Sequence, residues 1–284
     1  MAANDTTRSP HATLDWRPLD GLGWNEIAEA FRLCYDGYLI PIRMTAPQMA
    51  ARFAAEDLDM QASGIALVDG KVAAIGMVAR RGRLSRLAAF GVSTGFRGKG
   101  MASQVLDRLV HESTARSDAR MELEVFEHNH PAVKLYERFG FACIDRLIGF
   151  EKPVPNAQLD AATPELSSPD ILVELMHEEK TDDLPWQLQP VTLARLEAPW
   201  QVICNGDALA LVDFSRETAI EVRMIHVQRG SRRQGHARAL LSIIEGLAGE
   251  RPIRVPQLIP ARYQAFAEAL GFTPLEHYQF RMAR

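Results

Sequence analysis

RGKGMA, residues 97–102, decides the reading of this chain because of what stands on either side of it. Before it runs LAAFGV, residues 87–92, an apolar segment with the length and composition of a buried strand. After it, Ala102, Val105, Leu106, Leu109 and Val110 mark one face of a helix. A strand that turns through a basic, glycine-rich loop straight into a helix leaves the first N–H groups of that helix without intrahelical acceptors. Together with the positive end of the helix dipole, these donors form a cradle for a phosphate-bearing ligand. Gly98 and Gly100 lack a Cβ and let such a ligand approach the main chain. The six letters alone are also compatible with a plain tight turn.

Upstream, residues 14–19 form a short strand candidate and 24–34 a helix with Ile27, Ala28, Phe31 and Cys34 on one side. A second helix is expected over 46–55. Strands at 64–68 and 72–79 are joined by Asp69-Gly70, a strong hairpin signal. Downstream follow a strand at 121–126, a helix at 132–139 and a strand at 141–150. Strands that alternate first by hairpin and then by helical crossover predict an α/β fold, a mixed central sheet with helices on its faces.

Residues 153–169 (PVPNAQLDAATPELSSP) have a linker composition. Beyond them the first half recurs in worn form. Strands are expected within 201–212 and over 219–227. Then comes RRQGHA at 232–237, leading into a helix with Ala237, Leu240, Leu241 and Ile244 on one face. A strand at 255–259, a helix at 261–270 and Gly271-Phe272 opening a last strand complete the copy. Arg97 and Arg232 are 135 residues apart, and Gly140 and Gly271 are 131 apart. An internal duplication explains both offsets. The expected division is a disordered tail at 1–12, a first domain at 13–152, a linker at 153–169 and a second domain at 170–284.

At 284 residues the chain has room for about two domains. A net charge of −4 gives no electrostatic reason to expect nucleic acid. Cys34, Cys143 and Cys204 are far apart and not at metal-ligand spacing, which fits reduced thiols in a cytoplasmic protein that holds no metal. The start has no apolar signal core, and no apolar run is long enough to span a membrane.

The pattern Arg97-x-x-Gly100-x-Ala102 resembles the phosphate loop of the GNAT superfamily of N-acetyltransferases. Residues 123–141 (LEVFEHNHPAVKLYERFGF) resemble its second signature, with Asn129, Ala132, Tyr136, Gly140 and Phe141 in register. The resemblance covers roughly 12–152, and a weaker one covers 170–284, so tandem GNAT-like domains with a degenerate C-terminal copy are expected. It implies transfer of the acetyl group of acetyl-CoA to a primary amine, either a small molecule or a peptide or protein amine. The alternatives are another acyl-CoA or acceptor, or a non-catalytic acyl-CoA sensor or scaffold. A homodimer is compatible with either.

By resemblance, Arg97, Gly98, Lys99, Gly100, Met101 and Ala102 hold the pyrophosphate. Ser103 adds a hydroxyl, Asn129 a side-chain contact, and Val92 main-chain bonds to the pantetheine arm. Tyr136 is the expected general acid for the leaving thiolate. Glu124 is the expected base; strand alternation places it with Glu122 and Phe126, opposite Leu123 and Val125. His128 and His130 are weaker candidates. The segment between the first and second strands, with Tyr35, Tyr38 and Ile40, is the expected acceptor region. The cluster Glu56, Asp57 and Asp59 reads better as a solvated face than as a lure for a cationic amine. In the second half Ala267 stands opposite Tyr136 and Pro260 opposite Asn129, so that copy lacks the acid unless Tyr263 replaces it.

Overall fold

The computed structural model describes residues 14–38, 44–153, 165–168, 171, 174, 176 and 183–284. The expected tail and Ile40 therefore lie outside the described residues. The first half runs β1 (Asp15–Pro18), α1 (Trp24–Cys34), α2 (Ala46–Ala55), β2 (Leu58–Val68), β3 (Lys71–Arg81), β4 (Leu84–Val92), α3 (Met101–Ala115), β5 (Arg120–Phe126), α4 (His130–Arg138) and β6 (Ala142–Lys152). Local chemistry sets several of these bounds. Thr45 and Gln48 close a capping box at the start of α2. Asp69 and Gly70 both have positive φ, 51° and 70°, as a two-residue hairpin turn requires. Gly64 and Gly76 sit opposite each other on β2 and β3. A Cβ on Gly64 would lie 2.5 Å from the Trp16 ring, and one on Gly76 would lie 2.6 Å from Leu109 of α3. Both glycines are there so that these side chains can pack flat on the sheet.

The second half runs β7 (Glu165–Ser167), α5 (Pro190–Leu193), β8 (Trp200–Asn205), β9 (Ala208–Asp213), β10 (Ile220–Val227), α6 (His236–Ala248), β11 (Ile253–Pro260), α7 (Gln264–Ala269), β12 (Thr273–Pro274) and β13 (Gln279–Ala283). Strand β7 falls inside the expected linker and pairs with β8. Among the described residues no helix is long and apolar enough to cross a membrane.

The expected mixed sheet is present, but the two halves do not keep separate sheets. One sheet runs in the order β1-β2-β3-β4-β5-β13-β6-β11-β10-β9-β8-β7, with β12 beside β6. Most neighbours are antiparallel; β4–β5 and β10–β11 are parallel. The last strand of the chain, β13, lies between β5 and β6 of the first half. In return, the end of β6 pairs with β11 of the second half. The cores are exchanged accordingly. Met282 packs in the α3/α4 core with Leu106, Leu123 and Val125, while Ile148 and Phe150 pack in the α6 core with Leu240, Ile244 and Ile220. On the opposite face of the first half, α1 and α2 cover Ile75, Met77 and Ala89.

A charged residue fixes the inserted strand. Arg281 on β13 is 1% exposed. Its guanidinium donates to both Glu122 oxygens, at 2.8 and 3.1 Å, and to the Asp183 carbonyl at 3.0 Å. Removing one member of a buried ion pair strands its partner, at a cost of about 3–5 kcal/mol. Arg281→Met is therefore expected to lower the urea unfolding midpoint markedly. An unchanged midpoint would mean that β13 is held by its backbone ladder alone.

Candidate functional site

The site begins with a break in the sheet. Strands β4 and β5 pair only from Leu84↔Arg120 to Leu87↔Leu123. At that point β4 carries one extra residue, Ala88, between the Val78↔Leu87 and Met77↔Ala89 pairs with β3. A bulge of this kind bends the strand and ends the neighbouring ladder. Beyond it β4 continues along β3 and β5 continues along β13, so the two strands part.

Aromatic side chains gather at this parting. The Tyr35 hydroxyl accepts from Phe90 N at 3.0 Å and donates to Phe90 O at 3.3 Å, so both main-chain groups of that β4 residue are met by one phenol. Tyr35 stacks on Phe31 and carries Tyr38 edge-on at 5.1 Å. The Asn129 side chain faces the Tyr38 hydroxyl and also caps α4 through Ala132 N. Tyr136 reaches the same place from α4, its ring 6.3 Å from Phe90 and 5.8 Å from Phe141. Burial, reinforced by Tyr35 and Tyr38, pushes the Tyr136 phenol well above the ordinary range. At neutral pH it is protonated and can donate a hydrogen bond.

The loop that follows β4 supplies the other end. Gly100 is the N-cap of α3 in the left-handed conformation, φ 80°, and Gly98 has φ 74°. A Cβ on either would meet nothing within 4 Å, so the space above the loop is open. The first hydrogen bond into α3 is Gln104 N to Gly100 O. Among the described residues the N–H groups of 98–103 have no protein acceptor. Such a row of free donors fits a pyrophosphate. The side chains of the loop do other work. Arg97 turns back to the carbonyls of Val92, Cys34 and Asp36, at 2.8, 3.2 and 2.6 Å. Lys99 caps the Gly95 carbonyl at 2.8 Å, and the Met101 side chain is buried in the core. Arg97 thus braces the loop and occupies Val92 O.

Glu124 lies on the α1/α2 side of the sheet, as strand alternation required, but it is not free. Its Oε2 accepts from Arg86 at 2.7 and 2.8 Å and from Gln187 at 3.3 Å; Oε1 receives one longer contact from Arg86, 3.2 Å. Arg86 also donates to Glu56 at 2.6 Å, and Glu56 accepts from Arg52 at 3.1 Å. The acidic cluster is consequently no solvated face. Glu56 is 2% exposed, Asp57 pairs with Arg81 and Arg195, and Asp59 pairs with Arg80. Sequence reading passed over Arg52, Arg86 and Gln187. An arginine inside the apolar strand LSRLAAF was the available signal, since a buried arginine needs an anion.

Residues 24–141 match the family model described as the acetyltransferase (GNAT) family. That stretch, less than half of the chain, is similar to the GNAT acetyltransferases. A stretch of 54 residues is 41% identical to the uncharacterized N-acetyltransferase YdgE of Bacillus subtilis strain 168, over 19% of this chain and 34% of that protein. The match thus spans about a third of that relative's length. Solved structures share the fold across both halves. A GCN5-related N-acetyltransferase from Sphaerobacter thermophilus aligns over 95% of each chain, with a TM-score of 0.62 and 15% identity. A tandem GNAT protein from the clavulanic acid biosynthesis pathway aligns over 96% of this chain and 98% of its own, with a TM-score of 0.63 and 13% identity.

The second half repeats two of the loop's side-chain contacts and its positive-φ positions. Arg232 Nε donates to Val227 O as Arg97 Nε does to Val92 O, and Gln234 reaches Gly230 O as Lys99 reaches Gly95 O. Gly235 is left-handed, and Arg233 takes the positive φ of Gly98. The bulge recurs as well, at Arg223 between Val222 and Met224. The acid does not recur. Phe272 N bonds Ala267 O as Phe141 N bonds Tyr136 O, which confirms the alignment, and Tyr263 is 42% exposed.

The ion network makes a pH prediction. Burial opposes ionisation of Glu56, but Arg52 and Arg86 outweigh it and hold the carboxyl at about 2. The unfolded value is near 4.3. This carboxylate therefore stabilises the fold fully above about pH 4.5, and the contribution is lost as pH falls toward 2. Glu56→Gln is expected to flatten that acid limb in denaturation measured across pH. A slope identical to wild type would remove Glu56 from the account.

Proposed function

We propose that the protein transfers the acetyl group of acetyl-CoA to a primary amine, and that it does so in its first half. The observation that carries the reading is the opening between β4 and β5. It has a row of unsatisfied N–H groups at its mouth and a buried, protonated phenol inside. Acetyl-CoA, when bound, supplies the acyl group as a thioester. The N–H groups of residues 98–103 donate to the pyrophosphate, aided by the α3 dipole. The edge of β4 receives the pantetheine arm once Tyr35 releases Phe90. Phe90 N–H then donates to the acyl oxygen as negative charge develops there.

Glu124 holds the incoming amine through the lone pairs that Arg86 leaves on Oε1, and takes its proton directly or through a water. The amine nitrogen bonds to the acyl carbon, the carbon–sulfur bond breaks, and Tyr136 protonates the departing sulfur. Tyr136 and Glu124 regain their starting states by proton exchange with solvent. We place the reaction in the cytoplasm, in keeping with three free cysteines.

Calorimetry is expected to show saturable acetyl-CoA binding to the wild type and none to Gly100→Trp, whose side chain fills the cradle. Absence of binding to the wild type would overturn the proposal. Tyr136→Phe is expected to lower thiol release by about 10²-fold or more with little change in acetyl-CoA affinity. Equal turnover would deny Tyr136 its role as the acid.

A further inference from the structure

The ion network beside Glu124 pairs its arginines unequally. Arg86 is fully engaged between Glu56 and Glu124. Arg52 gives only its Nε to Glu56; its NH1 has the Met44 sulfur at 3.8 Å, and the side chain is 39% exposed. A second guanidinium arrives from the other half. Arg223, the extra residue of the β10 bulge, lies over the Trp200 ring at 4.3 Å. Its NH2 is 3.5 Å from Glu221, at the outer limit of a hydrogen bond, and among the described residues its buried Nε has no partner. Glu221 itself takes a shorter contact from Arg216, 2.7 Å. Glu56 and Arg52 are both within electrostatic range of Arg223. Arg52 is in turn within electrostatic reach of Tyr35.

A complementary vacancy lies at Gln187. This side chain is 4% exposed, donates to Glu124, and has a buried Oε1 that accepts nothing among the described residues. That oxygen can accept from an N–H, and an anion can take the guanidinium donors that Glu56 and Glu221 leave over. A buried polar atom left without a hydrogen bond is costly, and a ligand carrying both charges serves both ends at once.

We infer that the acceptor is a small molecule bearing a carboxylate as well as the reacting amine, an amino acid in the simplest case. Arg52 and Arg223 take the carboxylate, and Glu124 with Gln187 takes the amine. This rests on the acetyltransferase reading above and narrows it, since an internal lysine or a peptide N-terminus has no free carboxylate beside its amine. Arg223 also gives the second half a direct part in choosing the substrate, independent of any ligand at its own loop. A site built to bond a charged group rejects the analogue that lacks it far more strongly than an apolar pocket rejects a missing methylene.

The test uses matched triples: an L-amino acid, its methyl ester and its decarboxylated amine, taken across apolar, polar and aromatic side chains. Thiol release from acetyl-CoA is measured for each with the full-length protein. For at least one triple the acid is expected to exceed both analogues in kcat/KM by about tenfold or more. Arg223→Gln is expected to bring that ratio close to one, and Arg223→Lys to restore part of it. Esters or simple amines matching the acids in the wild type would overturn the inference, as would a preference that survives Arg223→Gln. If no amine releases thiol and acetyl-CoA does not bind, the acetyltransferase reading fails separately. The carboxylate site is then read by thermal shift. Acids raising the melting temperature of the wild type but not of Arg223→Gln uphold the site, and no acid-specific shift overturns it.

Discussion

The insertion of β13 between β5 and β6 is the constraint on which the site depends. A strand inside a sheet has two rows of polar groups to satisfy, and β5 loses one of them where it leaves β4 after Leu123. Pairing with β13 from Glu122 to Phe126 keeps the other row intact. The opening can exist only because the far edge of β5 is held. The bulge at Ala88 turns β4 away, and β13 stops β5 from following it. The buried Arg281–Glu122 pair fixes the register of that hold. The chain's last strand thus maintains a site whose loop lies near residue 100.

The two halves share local features and differ at one position that matters to the proposed chemistry. Both retain a bulge, a parting of parallel strands and a left-handed glycine before a helix. Only the first places a phenol against the parting; the second has Ala267 there. The second half also braces the first. It lends β13 to the sheet, and residues 186–195 lie against the end of α2. There the Trp186 indole donates to Glu56 O at 2.7 Å, and Arg81 stacks on the same indole at 4.3 Å. Arg81 further reaches Gln189 and Thr192. These bonds cross between the halves and fix the face on which Glu124 lies.

Much of this was legible in the sequence because it is local. The bounds of α1 and α2 follow from apolar spacing and caps, and the 69–70 turn from Asp-Gly. RGKGMA followed by the signature around Asn129 and Tyr136 marked the loop and the phenol. What was not legible depends on pairing between distant residues. QFRMA reads as a strand, but nothing in its letters says that it joins β5 rather than its own half. Glu124 was placed on the correct face of β5, yet its tie to Arg86 needed the register of β4 against β5. Arg86 and Arg281 each interrupt an apolar strand, and both turned out to mark a buried carboxylate. Gln187 sits in no pattern at all; only the fold brings it to Glu124.

Hydrogen exchange by mass spectrometry, with and without acetyl-CoA, tests the central claim most directly. If the donor lies along the edge of β4 and across the free N–H groups of the loop, peptides covering residues 89–103 gain protection. Peptides covering 228–238 in the second loop then change little. Protection confined to the second loop, or none at 89–103, would contradict the assignment of the chemistry to the opening that β13 maintains.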